Sequence, residues 1–146
     1  METKGGELIS ELKGEYRFLS NFWSCFIEYD GNLYPSLEAA YQAAKCANYD
    51  DRKYFMTAKA SDAKRRGKVV EMQPNWETIK VEIMLQLLRQ KFHQEPLRTM
   101  LLDTGTQEIQ EGNWWGDTFW GTCNGYGANQ LGKLLMQVRE ELKSEQ

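Results

Sequence analysis

Apolar residues along this chain recur with two different periods, and the places where one gives way to the other mark its elements. Leu131, Leu134, Leu135, Val138 and Leu142 share one helical face with charges opposite, which predicts an amphipathic helix near the C-terminus. Trp76, Ile79, Ile83 and Leu87, with Met84 and Leu88 beside them, predict a long core helix opened by Pro74-Asn75 and running to Phe92. The same periodicity assigns Trp76 to the core rather than to a pocket wall. Between Ser36, a capping residue, and Ala47 the stretch LEAAYQAAKCA predicts a shorter helix. Its Leu37, Tyr41 and Ala44 follow one face, while Glu38, Gln42 and Lys45 form a second stripe of acid, amide and amine.

The period shortens towards two around Asp30-Gly31-Asn32, where Phe26 to Tyr29 and Leu33-Tyr34 predict a hairpin. Asp50 and Ser61 read as caps of two short helices over 51–58 and 62–66, the second stopped by Gly67 as a C′ glycine. A further short helix is expected from Pro96, then a short strand over 106–110, then a glycine-rich loop from Gly112 to Gly127. The first dozen residues and the last three read as loosely held ends. With no repeat and no linker, the expected fold is α+β and predominantly α-helical, a single compact domain over residues 1–146 with a small β-hairpin.

Composition narrows the class. At 146 residues, with 41% hydrophobic and 27% charged side chains, the chain can bury a real core and lies far from disordered compositions. A net charge of -3 offers no bulk attraction for a nucleic-acid backbone, so any phosphate contact must be local. Cys25, Cys46 and Cys123 are odd in number and lack CxxC spacing, which argues against a disulfide framework or a cysteine zinc site and for a reducing, cytoplasmic setting. The N-terminus lacks an apolar signal region, and no run of about 18 apolar residues predicts a membrane span.

Candidate chemistry gathers in EGNWWGDTFWG, residues 111–121, which holds three of the five tryptophans around Asp117. So much aromatic area on one loop either plugs the loop onto the core or lines a site for a planar ligand, and composition leaves both open. Asp117 fits an Asx turn or a site carboxylate. Glu38 fits a helix N-terminus, where acids complement the dipole, or a second site carboxylate. Two acids at one site would stabilise an oxocarbenium-like sugar and activate water. Lys59, Lys64, Arg65, Arg66 and Lys68 flank Gly67 as a phosphate-holding turn or as a solvated helix face. His93, the sole histidine, is left outside the candidate site, and no HExxH, DxDxDG or Walker pattern occurs.

In order and spacing these segments resemble the NADAR family, the YbiA-like N-glycosidases, over about residues 16–142. Phe18-Leu19-Ser20-Asn21-Phe22, Tyr34-Pro35, Ser36-Leu37-Glu38, Tyr41-Gln42-Ala43-Ala44-Lys45 and Ala63-Lys64-Arg65-Arg66-Gly67-Lys68 carry the first half of the resemblance. Asn75-Trp76, Lys91-Phe92, Gly112-Asn113, Trp115-Gly116-Asp117, Phe119-Trp120-Gly121 and Asn129 to Met136 carry the second. Two departures stand out: Ala39 follows the helix glutamate where the family often has histidine, and Arg66 takes a usually apolar position.

The resemblance implies hydrolysis of an N-glycosidic bond between a phosphorylated or ADP-linked ribose and a nitrogen base, as in riboflavin intermediates or ADP-ribosylated guanine. It implies no metal or organic cofactor, no membrane partner, and as partner a nucleotide-like small molecule or an ADP-ribosylated nucleic acid. It assigns catalysis to Glu38 and Asp117. Trp115 and Trp120 pack on base or ribose, and Asn21, Phe22, Lys45, Arg65, Lys68 and Asn129 shape the pocket and hold phosphate. Trp114 is expected to serve packing. The rival readings are a noncatalytic module binding ADP-ribose or a nucleotide, and an adaptor with buried tryptophans.

Overall fold

A computed structural model describes residues 6–146 and is α+β, predominantly helical, with two small two-stranded sheets. It divides into two compact units, one spanning Asn21–Lys91 and the other combining the chain's beginning up to Ser20 with Phe92–Gln146.

The continuous unit starts with the hairpin, β1 (Ser24–Tyr29) and β2 (Asn32–Ser36), antiparallel with Tyr29 opposite Asn32. Asp30 and Gly31 both take positive φ, 49° and 85°, as a two-residue turn matched to strand twist requires. Ile27 and Tyr34 are buried while Phe26 and Leu33 face solvent. A bulge between Ser24 and Ile27 shifts the register before β2 runs directly into helix α1 (Leu37–Lys45). Ser36 caps that helix, its hydroxyl accepting from the Ala39 N–H at 3.1 Å.

Every residue of helix α1 from Leu37 to Ala44 is buried, so Glu38 and Gln42 of the polar stripe lie inside along with the apolar face, and Lys45 is half-buried. Both hairpin strands, a 3-10 turn (Tyr49–Met56) and α2 (Ala60–Arg66) pack around α1. The two short helices expected beyond α1 differ in detail. The first is 3-10 and begins after Asn48 with no side-chain cap, and Ser61 lies within α2, where it caps nothing. Arg52 ties this region together. Its guanidinium donates to Asp30 Oδ2 at 2.8 Å and to the Cys46 carbonyl at 3.4 Å, and lies over the Tyr29 ring.

Helix α3 (Trp76–Phe92) has the expected extent, and all but its last residue belongs to this unit. Its buried stripe runs through Trp76, Met84, Leu87 and Leu88, with Ile79 and Ile83 at a half-buried margin. Trp76 is core, its ring 5.1 Å from that of Tyr41. Near the other end, Gln90 pairs with the backbone of Glu28, accepting from its N–H at 2.6 Å and donating to its carbonyl at 2.8 Å.

In the second unit, α4 (Leu97–Leu102) follows Pro96, and α5 (Gln130–Ser144) buries the five predicted apolar residues. Arg139 donates to Thr104 Oγ1 at 2.9 Å and Lys143 to the Gly105 carbonyl at 3.0 Å, joining α5 to the end of α4. The strand expected over 106–110 is reduced, among the described residues, to a single parallel bridge, Ile9 with Ile109. That bridge also overturns the expectation of a loose start, since Ile9 is buried and hydrogen-bonded on both sides. Residues 1–5 of that expected end lie outside the described residues.

Lys91 is fully buried, and this burial pushes its ammonium pKa down to about 7, with the charge of Cys25 acting in the opposite direction. Between about pH 7 and the ordinary lysine value the unfolded chain keeps a proton that the folded chain has released, so stability rises with pH on this residue's account; below about pH 7 the contribution is flat. Urea midpoints of the wild type should therefore climb relative to those of Lys91→Met as pH is raised from about 7 to about 9.5. A constant gap between the two proteins would refute the assignment.

Candidate active site

Glu38 sits in the first turn of α1 and is only 8% exposed. Its backbone N–H donates to the Asn21 carbonyl at 3.0 Å, so the turn that precedes β1 is joined to the helix start. One turn on, Gln42 Nε2 donates to Glu38 Oε2 at 2.7 Å. A further turn on, Lys45 donates from Nζ to the Gly67 carbonyl at 2.7 Å. Burial lowers the Lys45 pKa, while the negative charge of Glu38 pulls it back up.

Gly67 ends α2 but not as expected: its φ is −59°, ordinary helical backbone, so no left-handed conformation calls for glycine there. Space does. A Cβ at this position would run into the side-chain amide of Gln42. The basic turn is mostly outward. Arg65 is exposed and pairs with Asp62, Lys68 is exposed, and Arg66 lies over the Tyr54 ring at 5.2 Å. Lys64 lies 5.9 Å from the ring of Phe22. Asn21 is buried, with Nδ2 near Met84 Sδ and Oδ1 without a partner. The same unit therefore gathers Glu38, Asn21, Phe22 and Lys45 around the start and one face of α1, and it leaves Arg65 and Lys68 on the surface.

The second unit holds the glycine-rich loop. Its ends pair as a short parallel ladder, β3 (Gly112–Asn113) with β4 (Thr122–Cys123). Within it, Asp117 Oδ1 accepts from the N–H groups of Phe119 at 3.1 Å and Trp120 at 2.9 Å, an Asx turn. Asn113 braces the same turn from the other side, accepting at Oδ1 from Gly116 and Asp117 N–H and donating from Nδ2 to the Asp117 carbonyl at 2.8 Å. Asn129, at positive φ before α5, accepts from Glu111 N–H at 3.0 Å and donates to the Ile109 carbonyl at 2.9 Å. Both ends of its amide are thus engaged by backbone.

Trp114 overturns its expected packing role: it is 80% exposed, edge-on to Trp115, which is itself 48% exposed. Trp120 is half-buried against Phe119, with ring centroids 4.9 Å apart. With two of three tryptophans open to solvent, the loop is no plug. Sequence reasoning missed Asn113 as the loop's brace; its place two residues after the acid of EGN, at the head of the glycine run, was the only signal. Among the described residues no group of three His, Cys, Asp or Glu side chains is placed to hold a metal, and no helix is long and apolar enough to cross a membrane.

The chain belongs to the NADAR domain family, which it matches over residues 9–143. It is 35% identical to the N-glycosidase YbiA of Shigella flexneri over 139 residues, covering 90% of this chain and 84% of that one. It is 40% identical over 134 residues to a riboflavin biosynthesis protein of Vibrio vulnificus, covering 86% of this chain but only 35% of that one. The NMR structure of Escherichia coli YbiA superimposes with a TM-score of 0.85 at 31% identity, covering 99% of this chain and 90% of that one.

If Asn113 holds the turn, Asn113→Ala should speed hydrogen exchange at the Gly116 and Asp117 amides and cost about 1–3 kcal/mol of stability by urea denaturation. Unchanged exchange at those two amides would show that the loop is held elsewhere.

Proposed function

We propose that this chain is an N-glycosidase that hydrolyses the bond between a phosphorylated or ADP-linked ribose and a nitrogen base. The reaction class is supported by the N-glycosidases of Shigella, at 35% identity over 90% of this chain, and of Nostoc punctiforme, at 32% identity over 88%. The observation that carries the reading is Glu38, a buried carboxylate at a helix start, gripped by an amide and under the charge of a half-buried lysine.

As the C1–N bond lengthens, positive charge grows on the ribose; an ionised carboxylate stabilises it while the base departs and water completes hydrolysis. Low exposure strengthens that charge, because less solvent screens it. Glu38 takes this role. Asp117 serves as the second carboxylate, orienting water or ribose hydroxyls, with Oδ1 spent on its own turn. Trp115 and Trp120 stack on base or ribose. Phe22, Lys45, Arg65 and Lys68 are assigned to substrate and phosphate contact, while Asn21 and Asn129 shape the walls. The substrates to compare are a phosphoribosyl riboflavin intermediate and ADP-ribosylated guanosine, the first in keeping with the name of the Vibrio relative.

Incubation with both, read by mass spectrometry, should release free base and sugar phosphate or ADP-ribose. Binding without release would favour the noncatalytic module. Glu38→Gln should lower turnover by about 100-fold or more while the protein stays folded. Asp117→Asn keeps an acceptor for Phe119 and Trp120 and removes only the charge, so its activity loss reports chemistry rather than loop collapse. Near-full turnover by Glu38→Gln would end the reading.

A further inference from the structure

Resting on the reading of Glu38 as the charge-stabilising carboxylate, we infer that Gln42, seated against the bare Cα of Gly67, is the residue that positions it. A glutamate and a glutamine four apart on a helix ordinarily make a solvated pair of little consequence. Here the pair is buried: Gln42 is 7% exposed and its Nε2 lies 2.7 Å from Glu38 Oε2. The amide's other end, Oε1, is buried without a partner. The fold carries that unsatisfied acceptor, which an apolar side chain of the same length would avoid.

What the amide supplies in return is direction. With Nε2 turned to Glu38 it donates to an ionised carboxylate; turned the other way it would set oxygen against oxygen. Gly67 makes the seating possible, since a Cβ there would strike Oε1, and its ordinary φ leaves this close approach as its reason for being glycine. Gly67 is itself held to α1 by Lys45, whose Nζ donates to its carbonyl at 2.7 Å. Basic turn, amide and acid thus form one connected line: the turn fixes Gly67, Gly67 admits Gln42, and Gln42 orients Glu38.

The test uses the full chain and whichever substrate releases base. Gln42→Met should lower kcat about tenfold with KM within about twofold, and move the acid limb of kcat/KM to higher pH, because a donor to the ionised form is lost. Gln42→Glu sets a second carboxylate against Glu38 and should move that limb further in the same direction. Gly67→Ala, by displacing the amide, should reproduce the Gln42→Met loss in kcat. Circular dichroism and melting check folding, and Gln42→Glu keeps the test open should Gln42→Met fold poorly.

A wild-type active protein with inactive Glu38→Gln, but with the acid limb unmoved in both Gln42 variants, overturns this inference alone. Failure of the wild type to release base, or full activity of Glu38→Gln, overturns the reading of Glu38 and the inference with it.

Discussion

The constraint on which most of the Asn21–Lys91 unit depends is the burial of α1 on every side. A nine-residue helix normally leaves one face to water, where polar side chains cost nothing. Here the hairpin, the 3-10 turn and α2 close around it, and Glu38, Gln42 and Lys45 must find partners inside. Much of the local architecture answers that demand: Asn21 meets the Glu38 N–H, Gln42 meets its carboxylate, and the Gly67 carbonyl meets Lys45. The helix C-terminus is treated alike, with Gln73 bonding the carbonyls of Ala44 and Lys45.

The other unit solves a different problem. Between Gly112 and Gly127 the backbone forms almost no regular structure, so side chains substitute for the missing ladder. Asn113, Asp117 and Asn129 together take on backbone donors and acceptors from Ile109 to Trp120. This explains how a loop rich in glycine presents aromatic rings without collapsing onto them.

The hairpin, α1, α3, α4 and α5 were legible because each is announced by local chemistry: a two-residue Asp-Gly turn, a serine cap, a proline start, an uninterrupted apolar stripe. Ser61 misled because a capping residue type says nothing about where the preceding chain turns, and that was set by packing on α1. Gly67 was read as a conformational stop when it is a spatial one, a distinction visible only once Gln42 is beside it. Trp114 was left to packing once the resemblance gave Trp115 and Trp120 to the site, yet its ring stands in solvent. Of the candidate residues, the sequence singled out the acids and their stripe; Gln42 as a positioning group and Asn113 as a brace depend on orientation, which one-dimensional spacing does not carry.

Gln90 has a consequence for how this protein behaves in a crowd. A strand flank with free N–H and C=O groups is a template on which another chain can add itself. By offering its amide to both backbone groups of Glu28, Gln90 imitates one residue of a neighbouring strand and occupies that pairing position from within the same molecule. The hairpin thus keeps a solvent-facing Phe26 and Leu33 while its flank at Glu28 is already spoken for, its backbone partner supplied by a helix side chain.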